Sequence, residues 1–139
     1  MRKKYKIPYL IILTILLFAC NSSDRFIPYV RLDIHYNIIS ELGNPLPGNF
    51  VLMDGGVNGL IVYCEAIGEY HVYDRTCRQY PEHNKQVEKL DDFEGIFECP
   101  ECQSRYWIED GAYPLQGPAT FSLHEYLSVV QGDLLHVYN

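Results

Sequence analysis

The chain has 139 residues, with 18 Asp+Glu against 11 Lys+Arg and a formal net charge of −7. This length suits one domain with a modest core, and the acidic balance argues against nucleic-acid binding by phosphate neutralisation. The chain has 12 Tyr but only two Met, and Pro and Gly interrupt it throughout, which favours short strands and turns over helices.

The N-terminal segment has the pattern of an export signal. Four basic residues precede an apolar run from Tyr9 to Ala19, which is shorter than the about 20 apolar residues that a membrane-spanning helix needs. Leu17-Phe18-Ala19-Cys20 resembles a bacterial lipobox, which implies cleavage before Cys20 and acylation of that cysteine. The alternative is an ordinary signal peptide with a chance cysteine. We predict a signal peptide at 1–19, an acylated cysteine and tether at 20–24, and a folded domain at 25–139.

Loss of this leader changes the charge balance of the mature chain. It removes four of the 11 Lys+Arg, which leaves seven against 18 Asp+Glu and a net charge of −11. Such a domain has no basic footprint for anionic lipid, so acyl chains alone would attach it to the membrane. We expect a lipid-anchored protein of the cell envelope, on the outer membrane or the periplasmic face, with no nucleic-acid partner and a protein or redox partner of unspecified identity.

The first half of the mature chain is predicted to form antiparallel strands. Residues 30–39 alternate between apolar and polar side chains, with His35 on the polar face as a solvated histidine. Further strands are predicted at 50–53, 59–64 and 70–73. The last two form a hairpin that places Cys64 near its turn and Cys77 beyond the opposite end, so we interpret Cys64 as a buried apolar residue and not as a ligand.

Three cysteines in the second half have the spacing of a metal site. Cys99 and Cys102 form a Cys-x-x-Cys knuckle, and Cys77 lies about twenty residues upstream. His83, six residues after Cys77, is the predicted fourth ligand, and the alternative for it is an exposed loop histidine. Three thiolates and an imidazole form a tetrahedral set of the kind that zinc takes, and iron–sulfur clusters also use these residue types.

The remaining segments complete an all-β prediction. Strands are expected at 85–90, 106–108, 121–126 and 134–138, and the acidic run at 91–94 is interpreted as a solvated turn and not as a calcium site. His71, His124 and His136 are interpreted as structural. The predicted fold is an antiparallel β-sandwich or barrel that carries a small inserted, zinc-ribbon-like metal-binding subdomain.

The residues around the cysteines resemble a Rieske-type iron–sulfur domain from about Phe50 to Asn139. The segment from Val72 to Cys77 is similar to the strand that enters the first ligand loop of that family. The second half of the family pattern is matched by Cys99, Cys102, Ser104, Tyr106, Gly111, Gly117-Pro118-Ala119, Leu123 and Tyr126. More specifically, the chain is similar to Rieske-like lipoproteins of gut Bacteroidetes, which implies the Rieske-like fold, a histidine shortly after the first cysteine and a triply acylated N-terminal cysteine.

The ligand positions depart from the Rieske pattern. Cys77 and Cys99 match the two cysteine positions, but Gln79 and Cys102 stand where the family has its two histidines. A cluster with two histidines on one iron is therefore excluded. We predict zinc bound by Cys77, His83, Cys99 and Cys102. The alternatives are a [2Fe–2S] cluster with non-standard ligands, or no metal and a partial disulfide in an exported protein.

The expected role of the site is structural or binding, and catalysis is not favoured. No Ser-His-Asp or Cys-His pattern is recognisable in the sequence. Three thiolates leave zinc little Lewis acidity, and a catalytic zinc would need an open coordination position beside a general base. We therefore predict a structural zinc in a binding or interaction module, and the alternative function is one-electron transfer by a [2Fe–2S] protein.

Overall fold

The computed structural model describes residues 26–139, so the predicted leader, Cys20 and the tether lie outside the described residues. Within 26–139 the chain is built from antiparallel strands and two single-turn 3-10 helices, at Pro81–His83 and Ile108–Asp110. The strands are β1 (Asp33–Asn37), β2 (Phe50–Met53), β3 (Leu60–Ala66), β4 (Glu69–Asp74), β5 (Glu88–Lys89), β6 (Ile96–Glu98), β7 (Arg105–Trp107), β8 (Tyr113–Gln116), β9 (Glu125–Gln131) and β10 (Leu134–Tyr138). The all-β prediction is confirmed. Residues 26–139 include no helix long and apolar enough to cross a membrane.

Six strands form the larger sheet, in the order β1-β10-β9-β4-β3-β2. Its centre is the β3-β4 hairpin, in which residues 60–64 are all buried. Side chains alternate between the two faces of a strand. Leu60 and Val62 accordingly join one hydrophobic cluster with β1, β9 and β10, whereas Ile61 and Tyr63 join a second cluster with the smaller sheet. Residues 60–64 of β3 are all apolar because both faces of this part of the strand are covered.

The smaller sheet is inserted between β4 and β9 and has the order β5-β6-β7-β8. Phe97 of β6 and Tyr106 of β7 are direct cross-strand partners, and both are fully buried in the cluster that contains Ile61. Buried aromatic pairs of this kind are the main apolar contribution of short strands. The insertion therefore packs against the hairpin face that it covers, and it brings the second cysteine loop with it.

The strand predicted at 85–90 is reduced to the two residues of β5. The main chain just before β5 pairs with the segment around Cys77 and not with the smaller sheet. The Cys77 amide donates to the Lys85 carbonyl at 2.9 Å, and the Val87 amide donates to the Arg75 carbonyl at 2.7 Å. Backbone groups that close this loop are not available to extend the ladder of the smaller sheet.

The strand predicted at 121–126 begins only at Glu125 and runs on to Gln131. The Leu123 amide donates to the Ala112 carbonyl at 3.2 Å, so the main chain before Glu125 is tied to the end of the smaller sheet and does not join a ladder there. β8, at Tyr113–Gln116, was not among the predicted strands.

A buried carboxylate stabilises the end of β4. Asp74 has no exposed surface, and it accepts hydrogen bonds from the Val57 amide at 2.7 Å, the Thr76 amide at 2.8 Å, the Thr76 hydroxyl and the Tyr126 hydroxyl at 2.9 Å. Each oxygen accepts two of these bonds, so the charge is fully hydrogen-bonded. A Cβ at Gly56 would lie 2.3 Å from Asp74 Oδ2, so only glycine lets the turn approach the carboxylate this closely.

Replacing Asp74 with Asn should lower the free energy of unfolding by about 2–4 kcal/mol. The shape is kept, but the new amide group must face two donors that now bond to a carboxylate oxygen, which leaves buried donors unsatisfied. Asp92, on an exposed turn, supplies the matched control, and D92N should change stability by less than ~0.5 kcal/mol. Chemical denaturation of the three proteins would measure this, and equal stabilities of D74N and D92N would contradict the prediction.

Candidate metal centre

The first cysteine loop is closed by short-range main-chain pairing on both sides of residues 78–84. Thr76 and Gln86 form an isolated bridge, flanked by the Cys77–Lys85 and Arg75–Val87 hydrogen bonds. The Arg75 guanidinium adds two bonds, from Nε and Nη2 to the Val87 carbonyl at 3.1 and 3.0 Å. Cys77 therefore lies in the hydrogen-bonded stem of this loop, and only 1% of the surface of Cys77 is exposed.

The second cysteine loop joins β6 to β7. The Cys99 amide donates to the Ser104 carbonyl at 2.9 Å, and the Gln103 amide donates to the Cys99 carbonyl at 2.9 Å. Gln103 adopts a left-handed conformation with φ of +59°, which reverses the chain after Cys102. The result is a tight knuckle in which Cys99 is fully buried and Cys102 is partly exposed.

The two loops bring three cysteine sulfurs together. The Sγ atoms of Cys77, Cys99 and Cys102 all lie within 4.8 Å of one another, and those of Cys77 and Cys102 are 3.5 Å apart. The three thiols are free in the structure. With zinc–sulfur bonds of about 2.3 Å, two thiolates of a tetrahedral ion stand roughly 3.8 Å apart. The sulfur arrangement therefore fits a group that bridges the three thiolates through one centre.

Opposing effects act on the charges of these thiols. Burial raises the pKa of the Cys99 thiol well above its ordinary value. Burial also opposes charge on Cys102, but hydrogen bonds with the Ser104 side chain and main chain, together with those from Cys77 and Cys99, outweigh it and lower the pKa of Cys102. Cys102 therefore ionises more readily than Cys99. A bound cation would supply the positive charge that lets all three sulfurs be thiolates together.

Ser104 connects the knuckle to the loop before β9. Its Oγ lies 3.1 Å from Cys102 Sγ and accepts a hydrogen bond from the Ala119 amide at 3.0 Å. The hydroxyl proton thus remains able to point at the Cys102 sulfur. A Cβ at Gly117 would stand 2.5 Å from Ser104 Cα, so glycine is required where this loop crosses the knuckle. These contacts hold the Gly117-Pro118-Ala119 segment against the cysteine knuckle, which the sequence pattern alone does not predict.

An aromatic side chain covers the site from the smaller sheet. Tyr106 is fully buried, and its hydroxyl lies 3.7 Å from Cys77 Sγ. Burial, with a contribution from the charge of Cys77, raises the pKa of Tyr106, so the phenol stays protonated beside the thiols. Tyr106, in the strand predicted at 106–108, therefore covers the sulfur group on the side of β7.

The fourth predicted ligand, His83, is not among the side chains whose ligand atoms gather within 4.8 Å of the three sulfurs. It lies in the 3-10 helix of the first loop, with its ring stacked on Tyr80 at 5.1 Å and its Nδ1 3.9 Å from a carboxylate oxygen of Glu101 in the knuckle. Its side chain is 44% exposed. His83 thus spans the two cysteine loops, and its role as a ligand stays a prediction.

Among residues 26–139, one further cysteine stands apart from this group. Cys64 is fully buried in β3, where it pairs with Tyr70 across the hairpin and its thiol donates to the Ala66 carbonyl at 3.3 Å. Burial raises the pKa of Cys64, as expected for an unreactive buried thiol. The predicted lipidation site, Cys20, lies outside the described residues.

Substituting Gly117 with Ala should lower the free energy of unfolding by about 2–4 kcal/mol, since it adds a backbone clash to the cost of a left-handed conformation. Gly48 is a matched control, because its φ of +86° is close to the +93° of Gly117 but no atom lies within 4 Å of its added Cβ. G48A should therefore cost only about 1 kcal/mol. Urea denaturation compares them, and equal losses would refute the close contact between Gly117 and Ser104.

Comparison with known proteins shows which fold this chain resembles. No family model matches the sequence, and no curated protein matches it. Among solved structures, the chain is similar to the ferredoxin of carbazole 1,9a-dioxygenase from Nocardioides aromaticivorans IC177, with 18% identity, a TM-score of 0.50, and coverage of 77% of this chain and 97% of that one. A complex of reduced oxygenase and oxidized ferredoxin in carbazole 1,9a-dioxygenase also matches, at 18% identity and a TM-score of 0.44, covering 80% and 94%.

The first of these similarities identifies the architecture. That ferredoxin is of the Rieske type, and the alignment spans nearly its whole length. At 18% identity the similarity concerns the fold and does not extend to activity. The chain therefore has a Rieske-like all-β fold, with a group of three cysteines able to bind a metal.

Proposed function

We propose that this chain is an exported lipoprotein whose Rieske-like domain holds one structural zinc ion and serves as a binding or interaction module. Cys77, Cys99 and Cys102 would supply three thiolates, and His83 the fourth ligand. The observation that carries the proposal is the convergence of three sulfurs within 4.8 Å from two loops that the fold builds separately. Such an ion would tie the loops together and add its binding free energy to folding.

The spacing of the sulfurs favours a single ion over a two-iron cluster. A [2Fe–2S] cluster distributes its protein ligands over two irons, so ligands of different irons stand farther apart than ligands that share one ion. Here all three sulfurs lie within the same 4.8 Å, and Cys77 and Cys102, from different loops, are 3.5 Å apart. This is the arrangement expected of thiolates that share one tetrahedral zinc.

His83 is proposed as the fourth ligand because it belongs to both halves of the site. It is carried by the loop that Cys77 opens, and its ring approaches Glu101 between the two knuckle cysteines. With imidazole in the fourth position the coordination sphere is closed, which suits a structural and not a hydrolytic zinc.

The alternative function is one-electron transfer by a [2Fe–2S] cluster with non-standard ligands. The similarity to a ferredoxin supports it, since that protein has the same fold. Fold alone does not carry activity, and the two histidines that define a Rieske centre are replaced here at positions 79 and 102. We therefore rank electron transfer second to a structural zinc.

Membrane attachment is the second part of the proposal. The basic start, the apolar run and Leu17-Phe18-Ala19-Cys20 support acylation of Cys20, which would anchor the domain to the cell envelope. The tether is predicted at residues 20–24, and the folded domain is predicted to begin at residue 25. A tether of this length would hold the domain close to the bilayer surface.

The metal content of the chain purified without oxygen should be about one zinc per molecule, with no visible colour. C99S should lose the ion and at least about 3 kcal/mol of stability, because it removes a buried ligand. C64S is the matched control, since Cys64 is equally buried but outside the sulfur group, and it should keep the zinc. Elemental analysis and a visible absorption spectrum measure both properties.

Other outcomes of that measurement are equally informative. Two irons per chain and a brown colour would replace zinc with the electron-transfer alternative. Neither metal, with thiols missing by titration, would indicate a disulfide in place of a metal. Loss of zinc in C64S would refute the assignment of the site to the three clustered cysteines.

Acylation of Cys20 should make the full chain partition into the detergent phase and add the mass of its acyl chains to the mature polypeptide. C20A should remain uncleaved and unacylated. C64S again serves as the control cysteine variant and should partition like the unchanged protein. Mass spectrometry of the N-terminal fragment checks this, and a mature protein without acyl mass would rule out the lipid anchor.

A further inference from the structure

A second group of potential metal ligands lies on the face of the larger sheet opposite to its core. It consists of Asp33 and His35 of β1 and His136 of β10. Asp33 and His35 are two residues apart, so their side chains lie on the same face of the strand. His136 is the direct cross-strand partner of His35. One ligand atom of each residue lies within 4.8 Å of the others, and none belongs to the cysteine site.

The side chains already contact one another. The rings of His35 and His136 are stacked, with centroids 4.0 Å apart and planes inclined by 6°. Nε2 of His136 lies 2.8 Å from Oδ1 of Asp33. The side chain of Asp33 is 57% exposed and that of His136 is 23% exposed. An ion can therefore reach the group from solvent, and water can complete its coordination.

Hydrogen bonds at both ends of β1 fix the register that creates this group. Beyond one end of β1, the Ile38 amide donates to the Asp133 carbonyl at 2.8 Å. At the other end, the Leu32 amide donates to Asn139 Oδ1 at 3.1 Å, and the Asn139 amide donates to the Leu32 carbonyl at 3.3 Å. On the opposite face, Tyr36 and Val137 are buried in the core. A slip of one residue would expose these core residues, so the ligands are held in place.

We propose that Asp33, His35 and His136 form a second metal site, which binds a divalent late transition-metal ion such as Zn²⁺ or Ni²⁺. Two neutral imidazoles and one carboxylate are ligands that such ions share. Calcium and magnesium take oxygen ligands, so this set disfavours them. The imidazole lone pairs lie in the ring planes, and the stacked rings converge on one ion after a rotation about χ2, a torsion with a broad energy well.

This second site differs from the cysteine site in affinity and in ligand chemistry. Its three protein ligands are partly exposed and leave at least one coordination position to water, whereas the thiolates are buried and soft. A chain that carries metal at its cysteines should therefore bind a further equivalent more weakly. The open position gives this ion a place for a solvent molecule or a small anionic ligand.

The test is a titration of the full chain, in detergent and in the metal state in which it is purified, with Zn²⁺. The carbon-bound ring protons of the five histidines are followed by NMR. The resonances of His35 and His136 should shift together and saturate at one added equivalent. The remaining histidines should shift little.

Variants separate this site from general attraction of metal to an acidic surface. H35Q and H136Q should each raise the dissociation constant of the added equivalent by about tenfold or more, since each removes one of three ligands. H71Q is the matched control. His71 is a partly exposed histidine of the same sheet, and its ring nitrogens lie 2.6 Å from carboxylate oxygens of Glu65 and Glu125. H71Q should leave the dissociation constant within about twofold.

Three outcomes would overturn the proposal. The first is that no added equivalent binds. The second is that the ring resonances of all histidines shift alike, which would mean adventitious binding. The third is that H71Q weakens binding as much as H35Q. These outcomes are read from His35, His136 and His71 and not from the cysteines, so failure here is distinguishable from failure of the structural-zinc proposal.

Discussion

The buried carboxylate of Asp74 is the constraint on which the rest of the structure depends. It stands where β4 leaves the larger sheet, and three residues later the chain reaches Cys77. Its four donors come from the turn before β3, from Thr76 on the way to the first cysteine loop, and from Tyr126 of β9. A buried charge is tolerated only when hydrogen bonds replace its hydration, so these segments must meet at one point. The meeting of these segments at Asp74 determines the direction in which the chain enters the first cysteine loop.

The cysteine site is built largely by the main chain. Hydrogen bonds close the stems of both loops, and the left-handed residue Gln103 turns the knuckle back toward β7. Side chains then adjust the charges, with Ser104 favouring a thiolate at Cys102 while burial disfavours one at Cys99. Burial therefore opposes ionisation of all three thiols at once. A bound cation would supply the positive charge that lets all three be thiolates together. Loops in these positions of the fold can hold different metal groups, because the ligand residues, and not the strands, determine which group binds.

The central hairpin explains how one domain supports two separate groups of ligands. Because both faces of β3 are buried, one face packs against the inserted sheet with its cysteine knuckle and the other packs against β1, β9 and β10. The edge strand β1 then has one face in the core and one in solvent. Its polar face is free to carry Asp33 and His35 without loss of packing, and pairing with β10 adds His136.

The sequence by itself determined the fold class, the β3-β4 hairpin, the alternating strand that became β1, and the grouping of Cys77, Cys99 and Cys102, because these follow from local periodicity and cysteine spacing. It did not determine the length of β5 or the start of β9, since backbone groups there bond across the chain to Cys77, Arg75 and Ala112. Only the tertiary structure decided that Ser104 connects Gly117-Pro118-Ala119 to the knuckle, and that His136, a hundred residues from His35 along the chain, stacks on its ring. Side-chain contacts at such separations arise from strand register and loop closure, which depend on the whole chain and leave no local pattern in the sequence.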